Sequence, residues 1–225
     1  MKAFTLSRSK IELFMQCPRC FYNDVKCQIK RPPGFPFSLN NAVDILLKRE
    51  FDMYRENGTA HPLQQPLGLI PANHPQLQTW RNAKTGVSFF HPHHQCIYYG
   101  GIDDLWFNPT LNIYHVVDYK ATAKTEAVTE LPEWTISYKR QIELYQWLLR
   151  QNGLHLSDTA YFLYCTGDPS YSTFNGTMHF RQHVIAYHGQ TDWIEDALEA
   201  LQACYNSSTP PPYSTNCAYC NFKNA

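Results

Sequence analysis

The sequence predicts an α/β fold in which helices flank a central mixed β-sheet. Three observations support this. The hydrophobic period changes from helical to alternating near residue 87. The predicted order is helix, helix, β-hairpin, helix, strand, helix, which is typical of layered α/β proteins. A pair of closely spaced cysteines lies near each end of the sequence. With 225 residues we expect a single domain over 1–225, in which 1–37 and 205–225 form a cysteine-bound appendage.

Composition excludes several classes of protein. The sequence is 44% hydrophobic and carries 19 basic against 19 acidic residues, which argues against disorder and against a polycation that coats nucleic acid. No apolar run reaches about 18 residues, so no membrane span or membrane partner is predicted. The first residues do not read as a signal peptide, so we expect a soluble cytoplasmic protein. Residues 1–55 hold ten basic and five acidic residues and predict a local basic surface.

Two helices are predicted in the N-terminal half. Ser9 and Glu12 have the spacing of a capping box, so a short helix should begin at Ser9 and run through Phe14. Prolines make 31–37 a rigid connector. A second helix should run from Ser38 to the glycine at position 58. Residues 59–85 predict an irregular segment with one short helix near position 80.

Strands dominate the middle of the chain. Residues 87–90, 95–107 and 113–119 are rich in β-branched and aromatic residues and predict strands, with a hairpin turn over 108–112 between the last two. A long amphipathic helix should follow over 136–149 and end at Gly153. Residues 159–165 and 177–187 predict two more strands, and 193–201 the last long helix.

Four of the eight cysteines form two Cys-x-x-Cys pairs. They are Cys17 with Cys20, and Cys217 with Cys220. Such a turn directs two thiolates to one side, and two turns supply four soft ligands, which suits tetrahedral zinc or an iron–sulfur cluster. The alternative is four unrelated thiols. Because the pairs are far apart in sequence, a shared metal would join the chain ends.

Acidic residues and a lysine lie on two strands that one turn makes neighbours. Asp118 and Lys120 alternate in an apolar strand and should project from the same face. Asp103 can lie beside Asp118 from the adjacent strand. Two carboxylates this close repel unless a cation such as Mg²⁺ or Mn²⁺ separates them, and the lysine adds positive charge for a phosphate. This set suits phosphodiester hydrolysis. The alternatives are an acid pair at a hairpin end for Asp103 with Asp104, and a surface salt bridge for Asp118 with Lys120.

Five short motifs follow one another along the chain. They are Ser7–Tyr22 with its Cys17-Pro18-Arg19-Cys20 end, Gly100-Gly101-Ile102-Asp103, Asp118-Tyr119-Lys120, Gln141–Tyr145 and the terminal Cys217 and Cys220. Together they resemble the PD-(D/E)XK nuclease superfamily, especially its RecB-like, AddB-like and CRISPR-associated exonuclease branches. The resemblance implies a restriction-endonuclease-like core and a metal-dependent DNA nuclease, of exonuclease type.

The resemblance also implies roles for individual residues. Asp103 and Asp118 would bind Mg²⁺ or Mn²⁺, and Lys120 would be the catalytic lysine. Gln141 and Tyr145, one helical turn apart, would contact the DNA backbone or the site. The four cysteines would hold a 4Fe–4S cluster.

Two departures from the family pattern leave alternatives open. Many relatives carry a histidine or glutamate ligand on the second helix, where the best-placed residue here is Asp44 and the next is Glu50. Relatives with a cluster usually have one N-terminal and three C-terminal cysteines, whereas this chain pairs two with two. That symmetry also resembles a zinc site, so 4Fe–4S is the working expectation and Zn²⁺ the alternative.

The remaining expectations concern partners. Arg19, Lys30 and Arg31 are the candidate DNA-binding residues of the basic N-terminal quarter. No Gly-x-x-x-x-Gly-Lys loop is present, so no bound nucleotide cofactor is predicted and any helicase would be a separate protein. The histidine tract at 91–94 is expected to be a solvated loop. The alternatives to a nuclease are a catalytically degenerate module that binds nucleic acid or a protein, and a zinc-stapled interaction protein.

Overall fold

The computed structural model describes residues 4–34, 38–132 and 135–222. Within them the helices and strands alternate as the predicted α/β class requires. The helices are α1 Arg8–Gln16, α2 Pro18–Val25, α3 Ser38–Glu56, α4 Leu77–Arg81, α5 Ile136–Gln151, α6 Trp193–Asn206 and α7 Ala218–Phe222. The strands are β1 Phe4–Ser7, β2 Ile70–Pro71, β3 Val87–His91, β4 Cys96–Gly100, β5 Asp104–Asn108, β6 Ile113–Ala123, β7 Thr159–Gly167 and β8 Phe180–His188.

The strands form two mixed sheets. The larger has the order β2-β5-β6-β7-β8, and the smaller β1-β4-β3. In the larger sheet β5 and β6 are antiparallel neighbours joined by the predicted hairpin turn, whereas β6 and β7 are parallel. A parallel pair needs a crossover connection, and α5 provides it. The mixed-sheet prediction is confirmed, with two sheets where the sequence predicted one.

The prediction of one strand over 95–107 was wrong. The chain leaves the smaller sheet after Gly100 and enters the larger one at Asp104. Two glycines permit the crossing, because a Cβ on Gly100 would meet the Tyr145 ring at 2.7 Å and one on Gly101 would lie 3.2 Å from the backbone of Ala83. The break matters for the site, because it leaves Asp103 at the entrance of β5.

The predicted capping box at Ser9 was also wrong. Helix α1 begins at Arg8, and Ser7 occupies the N-cap position without a side-chain cap bond. Glu12 is buried and instead accepts hydrogen bonds from Arg140 of α5, at 2.9 Å from Nε and 2.7 Å from Nη2. A charged, bidentate partner is a stronger donor than a backbone N–H, so Glu12 binds α1 to α5 instead of capping its own helix.

The other elements lie close to their predicted positions. Helix α3 begins at Ser38 and ends just before Gly58, which has a φ of 64°. The irregular segment contains α4 around Trp80. Residues 35–37 of the predicted connector lie outside the described residues. Four of the helices and strands given above were not predicted, namely β1, α2, β2 and α7.

Two groups of buried side chains hold the layers together. The larger packs α1, α2, α5 and α6 against β4, β5 and β6. The smaller packs α3 on the opposite face of the larger sheet, where Leu47 and Phe51 contact Trp106 and Val117. Strand β6 therefore has one face toward α5 and the other toward α3. None of the helices in the described ranges is long and apolar enough to cross a membrane.

Candidate active site

Strand β6 carries the central pair of the candidate site. Its side chains alternate between the faces of the sheet, so Asp118 and Lys120 lie together on the α5 side while Tyr119 packs on the α3 side. The Lys120 ammonium forms an ion pair with the Asp118 carboxylate. It also lies 4.5 Å from the centre of the Tyr138 ring on α5. The pairing predicted from the Asp-x-Lys spacing is therefore present.

Asp103 lies beside this pair, as the hairpin predicted. Strands β5 and β6 pair Asp104 with Val117, so the next position along brings Asp103 opposite Asp118. The backbone N–H of Tyr119 donates to Asp103 Oδ2 at 2.8 Å, which fixes the carboxylate at the end of the strand pair. One oxygen of Asp103 is thus held by β6 and the other is directed at the cleft.

The Asp118 carboxylate has no hydrogen bond that would compensate for its burial. The residue is 0% exposed, and apart from the Lys120 ion pair neither carboxylate oxygen has a hydrogen-bond partner. Burial, assisted by the charge of Asp103 and opposed by Lys120, raises the pKa of Asp118 to about 6. Burial of a carboxylate whose one partner is a single ammonium group is costly unless a further cation completes its coordination.

Helix α3 brings a third carboxylate and a lysine to the same place. Lys48 Nζ lies 2.8 Å from Asp44 Oδ2 and 3.4 Å from Asp103 Oδ1, so it bridges the two carboxylates. Burial and the charge of Asp103 raise the pKa of Asp44. Asp44, the preferred second-helix candidate, is therefore at the site. Glu50 is not, because it contacts His61 at 3.0 Å.

Helix α5 adds the Gln141 and Tyr145 pair. The Gln141 amide donates to the Tyr145 hydroxyl at 3.1 Å, as their one-turn spacing allows. Tyr145 is 3% exposed, and its burial raises its pKa to about 12. The hydroxyl therefore remains protonated and can act as a hydrogen-bond donor or acceptor, but not as an anion at neutral pH.

Beside these groups lies a cleft of about 460 Å³. The sequence analysis gave no site role to Lys48, Arg8, Asn40 or Tyr138, since three of them lie outside the motifs and Arg8 takes a variable position of the Ser7–Tyr22 motif. The cleft is lined by Arg8, Asn40, Asn41, Val43, Asp44, Asp103, Tyr119, Lys120, Ala121, Tyr138 and Gln141. Two carboxylates, Asp44 and Asp103, and two cations, Arg8 and Lys120, line this opening, and the buried Asp118 is paired with Lys120. Carboxylate oxygens suit a hard divalent cation and the cations suit a phosphate.

The four predicted cysteines come together in a second site. Their sulfur atoms all lie within 4.8 Å of one another, and each of the four residues is buried. Cys17 and Cys20 stand at the start of α2, and Cys217 and Cys220 at α7. Burial opposes ionisation of Cys217, but the Cys220 backbone and the other thiols outweigh it and lower its pKa to about 6. The set can hold a metal.

The candidate DNA-binding residues lie around this cysteine cluster. The Arg19 guanidinium is 3.7 Å from the centre of the Tyr213 ring and donates to Pro211 O at 2.7 Å. Arg31 donates to Cys217 Sγ at 3.4 Å. Lys30 is exposed. The three residues are together, although two of them also hold the C-terminal segment.

The histidine tract differs from its expectation as a solvated loop. His91 and His94 stack with ring centres 3.8 Å apart. Each pairs with an acid of α6, His91 with Glu195 at 3.2 Å and His94 with Glu199 at 3.0 Å. The tract packs on α6 because these acids face it, and only His93 matches the predicted exposure.

Comparison with known proteins agrees with this geometry. A family model of the PD-(D/E)XK nuclease superfamily matches residues 78–225, which is 148 of the 225 residues. The match includes the two central carboxylates, Lys120 and the second cysteine pair, and it begins after Asp44. No curated protein matches the sequence. The chain belongs to the PD-(D/E)XK nuclease superfamily and is thus, in general terms, a metal-dependent nuclease that binds nucleic acid.

Proposed function

We propose that the chain is a deoxyribonuclease of exonuclease type that hydrolyses phosphodiester bonds at the cleft between α3 and β6. The observation that carries this proposal is the fully buried Asp118 carboxylate, whose one charged partner among the described residues is Lys120 and which lies opposite Asp103 on the neighbouring strand. A structural salt bridge would not need a second carboxylate beside it or an open cleft of about 460 Å³. The preference for DNA and for chain ends rests on the family resemblance.

Asp103 and Asp118 would hold Mg²⁺ or Mn²⁺, with Asp44 as a third ligand. Their oxygens are hard donors, and the buried Asp118 Oδ1 has no hydrogen-bond partner, which fits a cation ligand. Such an ion would supply a Lewis acid for the phosphate and for a water molecule. Lys48, which bridges Asp44 and Asp103, supplies positive charge there and limits how many cations the site can accept.

Lys120 would contact the scissile phosphate. Its ammonium is held by Asp118 and by the face of the Tyr138 ring, so its position in the cleft is fixed before a substrate binds. A pre-positioned cation stabilises the charge that develops on the phosphate without reorganising. Gln141 and Tyr145 would orient the neighbouring backbone phosphate through an amide and a hydroxyl that are already hydrogen-bonded to each other.

The direct test is cleavage of end-labelled linear DNA, single- and double-stranded, with Mg²⁺ or Mn²⁺. We expect degradation by the wild-type chain, and a loss of at least about 100-fold in Asp118→Ala and in Lys120→Ala, because each removes a charge at the reacting phosphate. Asp196→Ala, an exposed acid of α6, is the matched control and should retain activity. Mn²⁺ binding followed by electron paramagnetic resonance gives a readout independent of turnover.

A folded wild-type chain that neither cleaves DNA nor binds Mn²⁺ would favour the degenerate nucleic-acid-binding or partner-binding module. Mn²⁺ binding without cleavage would point instead to a different nucleic acid or to a separate partner such as a helicase. The position of labelled fragments in the ladder distinguishes stepwise removal from an end from internal cutting.

The cysteine site favours one zinc ion over the 4Fe–4S cluster expected from the resemblance. Three sulfur–sulfur distances are 3.5, 3.7 and 4.0 Å. Four thiolates around one Zn²⁺, at Zn–S of about 2.3 Å, would be about 3.8 Å apart. In a 4Fe–4S cluster each thiolate binds a different iron, so the sulfurs must be more widely separated.

Metal analysis of anaerobically purified protein tests this choice. We expect about one zinc per chain, no broad absorbance near 400 nm, and loss of zinc in Cys220→Ser. Cys27→Ser, which replaces an exposed cysteine outside the cluster, should keep its zinc. Iron with visible absorbance in the wild type would restore the cluster assignment.

A further inference from the structure

A second cavity opens beside the cysteine cluster. It has a volume of about 190 Å³ and lies between α2, the segment 29–32 and the C-terminal residues. Its apolar walls include Ile29, Tyr213 and Tyr219, whose exposed fractions are 48%, 50% and 42%. Three half-exposed apolar side chains around one cavity are an unusual surface for a structural element, and they point to a ligand with a flat apolar face.

The two tyrosines are each backed by an arginine. The Arg19 guanidinium lies 3.7 Å from the Tyr213 ring centre, and that of Arg31 lies 4.4 Å from the Tyr219 ring centre. Both arginines have a buried Nε atom without a hydrogen-bond partner. The stacked arginines fix the planes of the two tyrosine rings before a ligand binds. A cation on an aromatic ring also strengthens the interaction of that ring with a further flat, electron-rich group.

The charge of the cavity selects an anionic ligand. Arg19, Lys30 and Arg31 line it, and none of the residues that line it is acidic. Within the described part of the chain the Lys30 ammonium forms no ion pair or hydrogen bond. A ligand that combines a flat aromatic ring with a phosphate is a nucleotide. Pockets for drug-sized ligands span about 300–1,000 Å³, so this smaller cavity suits a single base.

A shallow groove along α1 lies between the cavity and the catalytic cleft. It has a volume of about 350 Å³ and shares the lining residue Arg8 with the cleft and Arg31 with the cavity. The helix rises about 12 Å between Arg8 and Gln16. That distance corresponds to about three nucleotides at B-form spacing and to fewer in an extended strand.

We infer that this cavity binds one nucleobase of the substrate strand, a few nucleotides from the phosphate in the cleft, by stacking on Tyr213 and Tyr219. Arg19 and Lys30 bind the flanking phosphates. A base in a single strand can turn into the cavity without breaking a base pair, whereas a base in a duplex cannot. The cavity therefore favours single-stranded ends over duplex. The inference deepens the proposed function and rests on it, because it names the form of nucleic acid that the nuclease prefers.

Binding of a labelled oligothymidine of about 15 nucleotides tests the cavity, by fluorescence anisotropy in the full chain carrying Asp118→Asn. We expect Tyr213→Ala to lower the affinity about tenfold or more, because it removes the aromatic ring on which one base stacks. Tyr213→Phe keeps the ring and should bind like the parent. Tyr171→Ala is the control, because Tyr171 is another exposed tyrosine and lies outside the cavity.

The outcomes separate the cavity from the nuclease proposal. Unchanged affinity in Tyr213→Ala, or an equal loss for a duplex of the same length, would overturn the cavity even if the wild-type chain cleaves DNA. A loss specific to single strands, found in a chain that never cleaves, would keep the cavity and overturn the nuclease. Zinc content measured in each variant shows whether the cysteine site is intact.

A second readout does not depend on how well an alanine variant folds. An oligonucleotide with 5-iodouracil at successive positions is bound to the chain carrying only Asp118→Asn and irradiated. We expect a cross-link to Tyr213 or Tyr219 at one or two positions near one end. Cross-links at every position, or at neither tyrosine, would overturn the inference.

Discussion

At the scale of single residues, Gly100 lies so close to the Tyr145 ring of the candidate site that a side chain there would collide with it. A Cβ at position 100 would lie 2.7 Å from Tyr145 Cε1 and 3.2 Å from Arg8 Cβ. We therefore expect Gly100→Ala to move the Tyr145 ring, to lower the free energy of unfolding by about 1–3 kcal/mol and to reduce cleavage. Urea unfolding and the DNA assay measure the two effects.

Gly34→Ala is the matched control for this substitution. Gly34 has no atom within 4 Å of the position that a Cβ would take, and its φ lies outside the left-handed region. It should leave stability within about 0.5 kcal/mol of the wild type. If Gly100→Ala changes the free energy of unfolding and cleavage as little as this control, the Tyr145 ring can move without loss of stability. The close approach then has no role at the site.

His115 makes the stability of the fold depend on pH. It is 6% exposed, and its Nδ1 lies 2.7 Å from Thr159 O while Nε2 is buried without a partner. Burial lowers its pKa from the usual 6.5, and the hydrogen bond only partly opposes this. As the pH falls, His115 therefore binds a proton at a higher pH in the unfolded chain than in the folded chain. Stability is fully present above about pH 6.5 and is lost as the pH falls toward the lowered pKa of the folded state.

Comparison with His115→Asn isolates this effect. Asparagine can keep the donor to Thr159 O but does not titrate. All other titrating groups, including Asp118, are common to both proteins, so the difference between their free energies of unfolding should shrink as the pH falls from 7 to 5. Chemical denaturation at several pH values measures that difference. A constant difference would mean that His115 titrates normally.

At the scale of elements, Asp104 holds two helices on the larger sheet. It is 0% exposed and accepts hydrogen bonds from Arg55 of α3, from Arg81 of α4 at 2.6 Å and from the Tyr119 hydroxyl at 2.7 Å. Asp104→Asn would leave the two arginines with one carboxylate partner, the partly exposed Asp52. We expect it to lower the free energy of unfolding by about 3–5 kcal/mol, because one buried positive charge is then uncompensated.

An exposed ion pair provides the comparison. Arg150 and Asp158 form a charge pair in which the Asp158 side chain is 61% exposed. Asp158→Asn should change stability by no more than about 1 kcal/mol. Urea unfolding of both variants distinguishes the two environments. Similar small losses would mean that α3 and α4 are held by apolar packing alone, and the position of Asp44 and Lys48 would not depend on Asp104.

The elements also show how far sequence patterns reach. Asp118, Lys120 and Asp103 were predicted to be neighbours, because alternation along a strand and a short hairpin turn are local rules. Lys48 and Arg8 were not predicted, because their approach depends on how α3 and α1 pack on the sheets. The break after Gly100 was missed because the segments on both sides of it, 96–99 and 105–107, are equally apolar and aromatic. Only the packing of Tyr145 and the backbone of Ala83 reveals why two glycines are needed there.

For the whole molecule, the cysteine site closes the longest loop in the described chain. Cys17 and Cys220 are 203 residues apart, and each lies in a terminal region that was predicted to form an appendage. A cross-link over a loop of this length removes about 5 kcal/mol of chain entropy from the unfolded state, as an upper estimate. Without a bound metal the pairs are joined chiefly by polar and ring contacts of Arg19 and Arg31, because among the hydrophobic side chains of the described residues only Leu13 is packed against the four cysteines.

Removal of the cysteine metal should therefore release the ends and leave the centre folded. Helix α7 has five residues, too few to persist without tertiary contacts, whereas β6 and β7 are buried between helices. With a chelator and hydrogen exchange read by mass spectrometry, we expect faster exchange in 17–27 and 205–222 and little change in 113–123 and 159–167. Exchange that rises equally everywhere would mean that the metal stabilises one cooperative unit. Unchanged exchange at the ends would mean that protein contacts alone hold the tail. In either case residues 1–37 and 205–225 would not form a metal-held appendage.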